Sequence, residues 1–288
     1  MAGVLSWRNR KVKGALSKTI VYILLIILGA FFAFPLVWLV STSLKPPTQV
    51  FVFPPQWIPK PFKWDNYPVV VREMKFWEGL KNSGILAAGI VSGTLISCSL
   101  VAYSFARLEW PGRDFLFIVL LATMMVPFTV TMIPIYIVFM NLRWLNSFKP
   151  LIVPAFLGNA FFIFLLRQFF LTIPFELSDA AKIDGCSEFG ILWRIVLPLA
   201  KPALAVVAIF SFINAWDAFL GPLIYLSDNT KYPLVLKLHG LQAGGTVVVI
   251  NWNTVMAGAT LVIAPILILF FFTQKYFIEG ITLTGLKG

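Results

Sequence analysis

Between Lys18 and Lys45 the chain runs 26 residues, Thr19 to Leu44, without a charged side chain. At ~1.5 Å per residue a helix over that stretch reaches about 39 Å, more than the ~30 Å hydrocarbon core of a bilayer. Such a segment crosses a membrane or lies inside a large soluble core, and composition decides between the two. Hydrophobic residues make up 59% of the 288 and charged residues 12%, where soluble chains carry roughly 25%. With a mean hydropathy of +0.87, there are too few charges to coat a water-exposed globule. The expected fold class is therefore an all-α integral membrane protein. Arg8, Arg10, Lys11, Lys13 and Lys18 precede the first stretch, as in a secretory signal. A cleavable apolar core is only about 7–15 residues long and is followed by small residues at the cleavage point. The long stretch here has no such site after it and reads as an uncleaved helix.

Further uncharged windows at about 84–106, 115–139, 151–166, 203–225 and 254–272 bring the expected number of transmembrane helices to six. Pro127 and Pro134 in the third and Pro222 at the end of the fifth free backbone carbonyls, which implies kinked helices packed against protein. Gly89, Gly93 and Ser97 recur every four residues in the second and form a stripe where another helix can approach closely. With five basic residues and no acid in the first segment, the N-terminus is expected on the cytoplasmic side. The chain then divides into a cytoplasmic N-terminal segment (1–18), the first transmembrane helix (19–44) and an extracytoplasmic loop (45–83). A five-helix core (84–272) holding a cytoplasmic loop at 167–201 follows, and then a cytoplasmic tail (273–288). The loop at 45–83 is rich in Pro, Trp and Phe. Two readings stand for it: a strip lying on the outer membrane surface, or a landing site for an outside partner.

A net charge of +11 suits an anionic lipid surface, and the scatter of basic residues among apolar spans argues against nucleic acid. Two cysteines, Cys98 in an apolar run and Cys186 in a polar loop, and a single histidine, His239, offer neither a disulfide framework nor a metal-ligand cluster. No G-x-x-x-x-G-K-[S/T] phosphate loop occurs, so no catalytic residue, cofactor or metal is expected.

The stretch 175–202 is polar yet patterned. Ser178 or Asp179 is a candidate helix start, Gly185 a left-handed stop, and Ser187 an N-cap for a second short helix with Glu188 in its first turn. Phe189, Leu192, Trp193 and Val196 fall at i, i+3, i+4 and i+7 and predict one apolar face. Pro198 and Pro202 are expected to stop that helix and set the angle of the next span. Two short helices with a small Ala-Ala surface and acids on the rim make a knob fit for docking a soluble partner, held to its spans by Pro174 and Pro202.

Asp179-Ala180-Ala181, Asp184-Gly185, Leu197-Pro198 and Pro202 together resemble the "EAA" signature of binding-protein-dependent ABC importer permeases. Ile213-Asn214-Ala215-Trp216-Asp217-Ala218-Phe219-Leu220 and the Gly-rich end after Gly280 are similar to the carbohydrate-uptake branch, in particular its shorter maltose-type permease. The family usually has Glu where Asp179 stands and often Asn where Asp217 stands. The resemblance implies a type I ABC importer permease fold and a bacterial or archaeal cytoplasmic membrane. It also implies a second homologous permease, two ATP-binding cassette subunits, an extracytoplasmic solute-binding protein and a sugar solute. It assigns the contact with the ATP-binding subunit to Asp179, Ala180, Ala181, Asp184 and Gly185, with Phe189 beside them. Asn159, Asn214, Asp217 and Asn253 are candidates for a solute path. For Asp217 two readings remain: lining a wet path with Asn214, or sitting near the interface satisfied by water, Trp216 or backbone. The tail either reaches towards the ATP-binding subunits or frays. Competing functions are an ABC permease for a polyol, glycerol phosphate or peptide, and an ion-coupled carrier that uses Asp217.

Overall fold

The computed structural model describes the backbone of residues 2–242 and 251–285 and the side chains of residues 18–242 and 251–274. The described residues form helices joined by turns. These are α1 (Ala2–Ser43), α2 (Asn66–Glu73), α3 (Phe76–Arg107), α4 (Arg113–Thr123), α5 (Phe128–Asn141), α6 (Lys149–Ile152) and α7 (Ala160–Thr172). There follow α8 (Glu176–Ile183), α9 (Glu188–Ile191), α10 (Leu197–Leu199), α11 (Lys201–Trp216), α12 (Leu220–Tyr225), α13 (Leu234–Gln242) and α14 (Trp252–Gly285). Among the described residues, four stretches are by length and composition able to cross a membrane: 18–43, 76–107, 149–172 and 252–274. Two bent pairs, 113–123 with 128–141 and 188–199 with 201–216, raise the number to as many as six if each is one span.

Prolines decide where the expected spans break. A proline has no N–H and its ring meets the carbonyl four residues back. For Pro127 that carbonyl belongs to Thr123, the last residue of α4; the chain turns by 98° before α5 begins. Pro222 has the same relation to Ala218, so the continuous span expected over 203–225 is divided. The helix α11 stops at Trp216 and α12 restarts at Leu220 with Pro222 in its first turn, where no helical N–H is needed. The span expected over 151–166 is also composite. A 3₁₀ turn at Val153–Leu157 follows α6, and Gly158, at φ +93°, turns the chain into α7.

The chain packs as two units. The first comprises residues 1–70 and 246–261. Its α1 exposes its apolar side chains from Lys18 to Pro35. Beyond α1, the segment read as either a surface strip or a landing site for a partner is tied together. The Lys63 amide donates to the Leu44 carbonyl at 2.8 Å, the Ser41 hydroxyl donates to the Trp57 carbonyl, and Trp57 packs edge-on against Phe34 and Trp38. Asn66 closes the knot. Its buried Nδ2 donates to the carbonyls of Ser43 (2.7 Å) and Lys45 (3.1 Å), while its Oδ1 accepts from Asn253 Nδ2 at 3.0 Å.

The second unit comprises residues 71–245 and 262–288, with α3 at its centre, packed against α7 and α11. The small-residue stripe receives the segment before α7. A Cβ on Gly89 would lie 2.9 Å from Ile152, and one on Gly93 2.7 Å from the Phe156 ring, while Ser97 Oγ donates to the Ala155 carbonyl at 2.8 Å. The C-terminal half of α3, from Cys98 to Ala106, joins Phe162, Leu166 and Phe170 of α7 and Val207 of α11 in one apolar core.

Asn66→Ala would leave two buried carbonyls in the first unit without their donor. Since each unsatisfied buried group costs about 1–3 kcal/mol, the variant is expected to lower the thermal midpoint in detergent and to open residues 45–65 to limited proteolysis.

Candidate functional site

The stretch 173–202 forms a helix–turn–helix projection whose geometry follows from a few residues. Its first helix, α8, begins at Glu176, two residues before the expected start at Ser178. The Ser178 side chain is buried and does not act as a cap; the residue before the helix is Phe175, and Glu176 and Asp179 place their charges in the first turn, where the helix dipole favours them. The helix ends in a Schellman motif. The Gly185 amide donates to the Lys182 carbonyl at 3.0 Å and the Cys186 amide to the Ala181 carbonyl at 2.9 Å, with Gly185 at φ +76°. A Cβ at Gly185 would meet nothing within 4 Å, so the need for glycine lies in the backbone conformation alone. Ser187 then caps α9, accepting the Gly190 amide at 3.2 Å.

The six residues singled out at this turn are brought together but do not share a surface. Asp179, Ala180, Asp184, Gly185 and Phe189 are exposed, while Ala181 is buried in the core. The apolar face expected from Phe189, Leu192, Trp193 and Val196 is split. Leu192 and Val196 are buried with Ile191, whereas Phe189 and Trp193 point outwards and stack at 6.2 Å. Phe189 and Trp193 fall one turn apart on one side of the helix and Ile191, Leu192 and Val196 on the neighbouring side, which the core takes; a π-helical turn runs over Leu192–Val196. The helical run that opens at Glu188 ends at Leu199, one residue past Pro198, and the next opens at Lys201 with Pro202 in its first turn. Pro198 lies in the first turn of α10 and Pro202 in that of α11, with an 81° bend between the two runs near Ala200. The exposed rim thus carries two acids, a small flat surface and the apolar side chains of Ile183, Phe189 and Trp193.

Lys182 Nζ lies 2.9 Å from Glu188 Oε1 and joins the two helices. The hydrogen bond from Lys182 to Glu188, with the charge of that carboxylate, holds the ammonium above its ordinary value of 10.5. A raised lysine pKa stabilises below the ordinary value and is lost as pH rises through the folded one, so the link stays charged throughout the neutral range.

The four polar residues considered for a path are placed differently. Asn214 and Asp217 are both exposed at the end of α11, where the Asp217 amide donates to the Ile213 carbonyl at 2.9 Å. Asn159 is the N-cap of α7, its Oδ1 accepting the amides of Phe161 (3.0 Å) and Phe162 (3.3 Å). Asn253 is buried in the first unit on Asn66. Periodicity gave no sign of Tyr103 and Arg107, which reach the projection from α3; the only trace in sequence is a polar pair at i, i+4 closing an apolar helix.

The profile of the family described as "Binding-protein-dependent transport system inner membrane component" matches residues 95–282, which include the whole projection. The arabinooligosaccharides transport system permease protein AraQ of Halalkalibacterium halodurans is 36% identical over 262 residues, covering 88% of this chain and 91% of its own. The sn-glycerol-3-phosphate transport system permease protein UgpE of Yersinia enterocolitica is 33% identical, covering 90% and 94%. Among solved structures, a chain of a bacterial ABC transporter involved in the import of the acidic polysaccharide alginate superposes with a TM-score of 0.80 at 25% identity, over 91% of this chain and 96% of that one.

Gly185→Ala forces a Cβ into the left-handed region at a cost of about 1–2 kcal/mol. The amides of Gly185 and Cys186 are then expected to exchange hydrogen roughly five- to thirtyfold faster, while amides within α7 and α11 keep their protection.

Proposed function

Because this chain belongs to the family of binding-protein-dependent transport system inner membrane components, we propose that it is the permease subunit of an ATP-driven importer for a sugar, of di- or oligosaccharide size. It works with a second, homologous permease, two ATP-binding cassette subunits and an extracytoplasmic solute-binding protein in a bacterial or archaeal cytoplasmic membrane, with both termini on the cytoplasmic side. The observation that carries this reading is the α8–α9 projection. Its exposed Asp179, Ala180, Asp184, Gly185 and Phe189 form a rim of acids and small and apolar side chains, and its rear face is continuous with the core of the bundle.

A chain with no phosphate-binding loop must take the work of hydrolysis from another polypeptide. An exposed rim backed by a packed core suits that task. The partner grips the outer face, and the inner face, through Ala181, Ile191, Leu192 and Val196, moves the helices it is packed on. Ala181 supports the rim from beneath. Asn214 and Asp217, open at the end of α11, are the side chains of the four best placed to meet solute hydroxyls. Asn159 and Asn253 would contribute by shaping the surrounding framework. Names among the relatives support a sugar: arabinooligosaccharides for AraQ and diacetylchitobiose for DasC of Streptomyces coelicolor. The similarity to UgpE supports glycerol phosphate as a second reading within the same architecture.

In proteoliposomes holding the assembled transporter, uptake is expected to need ATP inside and to survive collapse of ion gradients. Uptake that persists without ATP and follows an ion gradient would overturn the reading in favour of a carrier that uses Asp217. Single cysteines placed along 176–190 are expected to crosslink to the ATP-binding subunit. Gly185→Val is expected to leave the spans inserted and to cut uptake about tenfold or more while hydrolysis continues. The solute retained by the co-purified binding protein separates sugar from glycerol phosphate.

A further inference from the structure

The carboxylate of Glu188 holds three elements at once. Its Oε2 accepts the Tyr103 hydroxyl of α3 at 2.6 Å, its Oε1 pairs with Lys182 of α8 at 2.9 Å, and its own backbone opens α9. One turn further along α3, Arg107 reaches the other end of the projection. Its Nη2 donates to the Ile173 carbonyl at 2.5 Å, and its guanidinium lies 4.3 Å from the centre of the Phe175 ring, just before α8. Tyr103 and Arg107 are 4% and 7% exposed, so the α3 end of each tie is buried, while the Glu188 side chain is 44% exposed where it meets Lys182. Hydrogen bonds to an ionised group are about twice as strong as neutral ones, and shielding from water strengthens them further.

The covalent connections of the projection are less direct. On one side it joins α7 through Ile173, in extended backbone (φ −76°, ψ 129°), and on the other it joins α11 across the 81° bend at Ala200. A push on α8–α9 can be absorbed at such joints by changes in φ and ψ. The tie from Tyr103 bypasses both joints, the tie from Arg107 fastens the joint at Ile173 itself, and both end on α3, the longest buried helix of its unit, on which α7 and α11 pack.

Resting on the docking reading given above, we infer that Tyr103 and Arg107 are positioning residues. Through Glu188 and the Ile173–Phe175 segment they carry displacement of the α8–α9 projection into α3, so that α3 moves with it rather than following α7 and α11. Lys182 contributes by keeping α8 and α9 a single body on the Glu188 carboxylate.

The test uses the complete transporter in proteoliposomes and compares wild type with Tyr103→Phe, Glu188→Gln and Lys182→Met. Solute imported per ATP hydrolysed is measured together with crosslinking of a cysteine at position 180 to the ATP-binding subunit. A role confined to folding would lower uptake and hydrolysis together and leave their ratio unchanged. Tyr103→Phe keeps the ring in the core and removes only the hydroxyl. It is expected to crosslink as wild type does, to hydrolyse ATP within about twofold of it, and to import roughly five- to tenfold less per ATP, the order expected for the net loss of one partly exposed hydrogen bond. Glu188→Gln, which weakens the contacts to both Tyr103 and Lys182, is expected to fall at least as far, and Lys182→Met less, because it spares the Tyr103 contact. An unchanged ratio in Tyr103→Phe and Glu188→Gln with crosslinking retained would overturn this inference alone. Loss of crosslinking in Tyr103→Phe would make the tie part of the docking surface and would also overturn it. No crosslinking in wild type would remove the docking reading and this inference with it.

Discussion

A backbone N–H or C=O inside hydrocarbon has no water to bond, so a chain this apolar must satisfy those groups within itself. The helices of this protein meet that demand, and two of their interruptions fall beside Pro127 and Pro222, although Pro35 and Pro134 lie inside continuous helices. The bend between α4 and α5 begins at the residue whose carbonyl Pro127 would strike, and the break between α11 and α12 lies just ahead of Pro222. At each break, turns and caps take up the freed groups. The Met124 and Met125 amides donate to the carbonyls of Leu121 and Ala122, and Asn159 caps α7 after the turn at Gly158. What reads as one hydrophobic window in sequence is therefore two rods at an angle in space, and the ends of the rods leave polar side chains such as Asp217 exposed.

The same demand shapes the projection. An exposed turn with a rear face in the core cannot leave its helix ends unpaired, and the Schellman motif at Gly185 and the Ser187 cap answer for both sides of the turn. The rear face then packs with α3 and α7. This arrangement gives a small rigid body, with its polar rim outside and its apolar residues inside, suited to receive force from a partner. The ties from Tyr103 and Arg107 add a connection that ordinary packing does not supply, because hydrogen bonds and ion pairs fix direction as well as distance.

Much of this was legible before any coordinates. The apolar windows, the helix-breaking glycine at 185, the cap at Ser187 and the small-residue stripe on α3 all follow from local chemistry, and local chemistry is what a sequence states directly. The expectations that missed did so where non-local packing overrides local preference. Helix α8 starts at Glu176 instead of Ser178, since Phe175 packs under Arg107 and Ser178 turns inwards. The single apolar face assigned to 189–196 is split, because the core takes Ile191, Leu192 and Val196 and leaves Phe189 and Trp193 outside. Asn253 and Asn159 carry framework hydrogen bonds, and nothing in their neighbours along the chain announces the partner 187 residues away in one case.

The sequence by itself determined that this chain is helical and membrane-embedded, that prolines and glycines disturb its helices, and that a patterned polar turn stands between two of them, while the breaks inside 151–166 and 203–225 came only with the structure. Those features depend on hydropathy, on the missing N–H of proline and on the conformational freedom of glycine, all properties of single residues or of neighbours. Only the tertiary structure decided which side of the turn faces out and that residues 45–66 are sewn shut. It alone showed that a tyrosine and an arginine on α3 hold the turn from behind. Each of these depends on side chains far apart in sequence meeting at hydrogen-bonding distance. Such a meeting is set by how all the helices pack at once, and no local pattern encodes it.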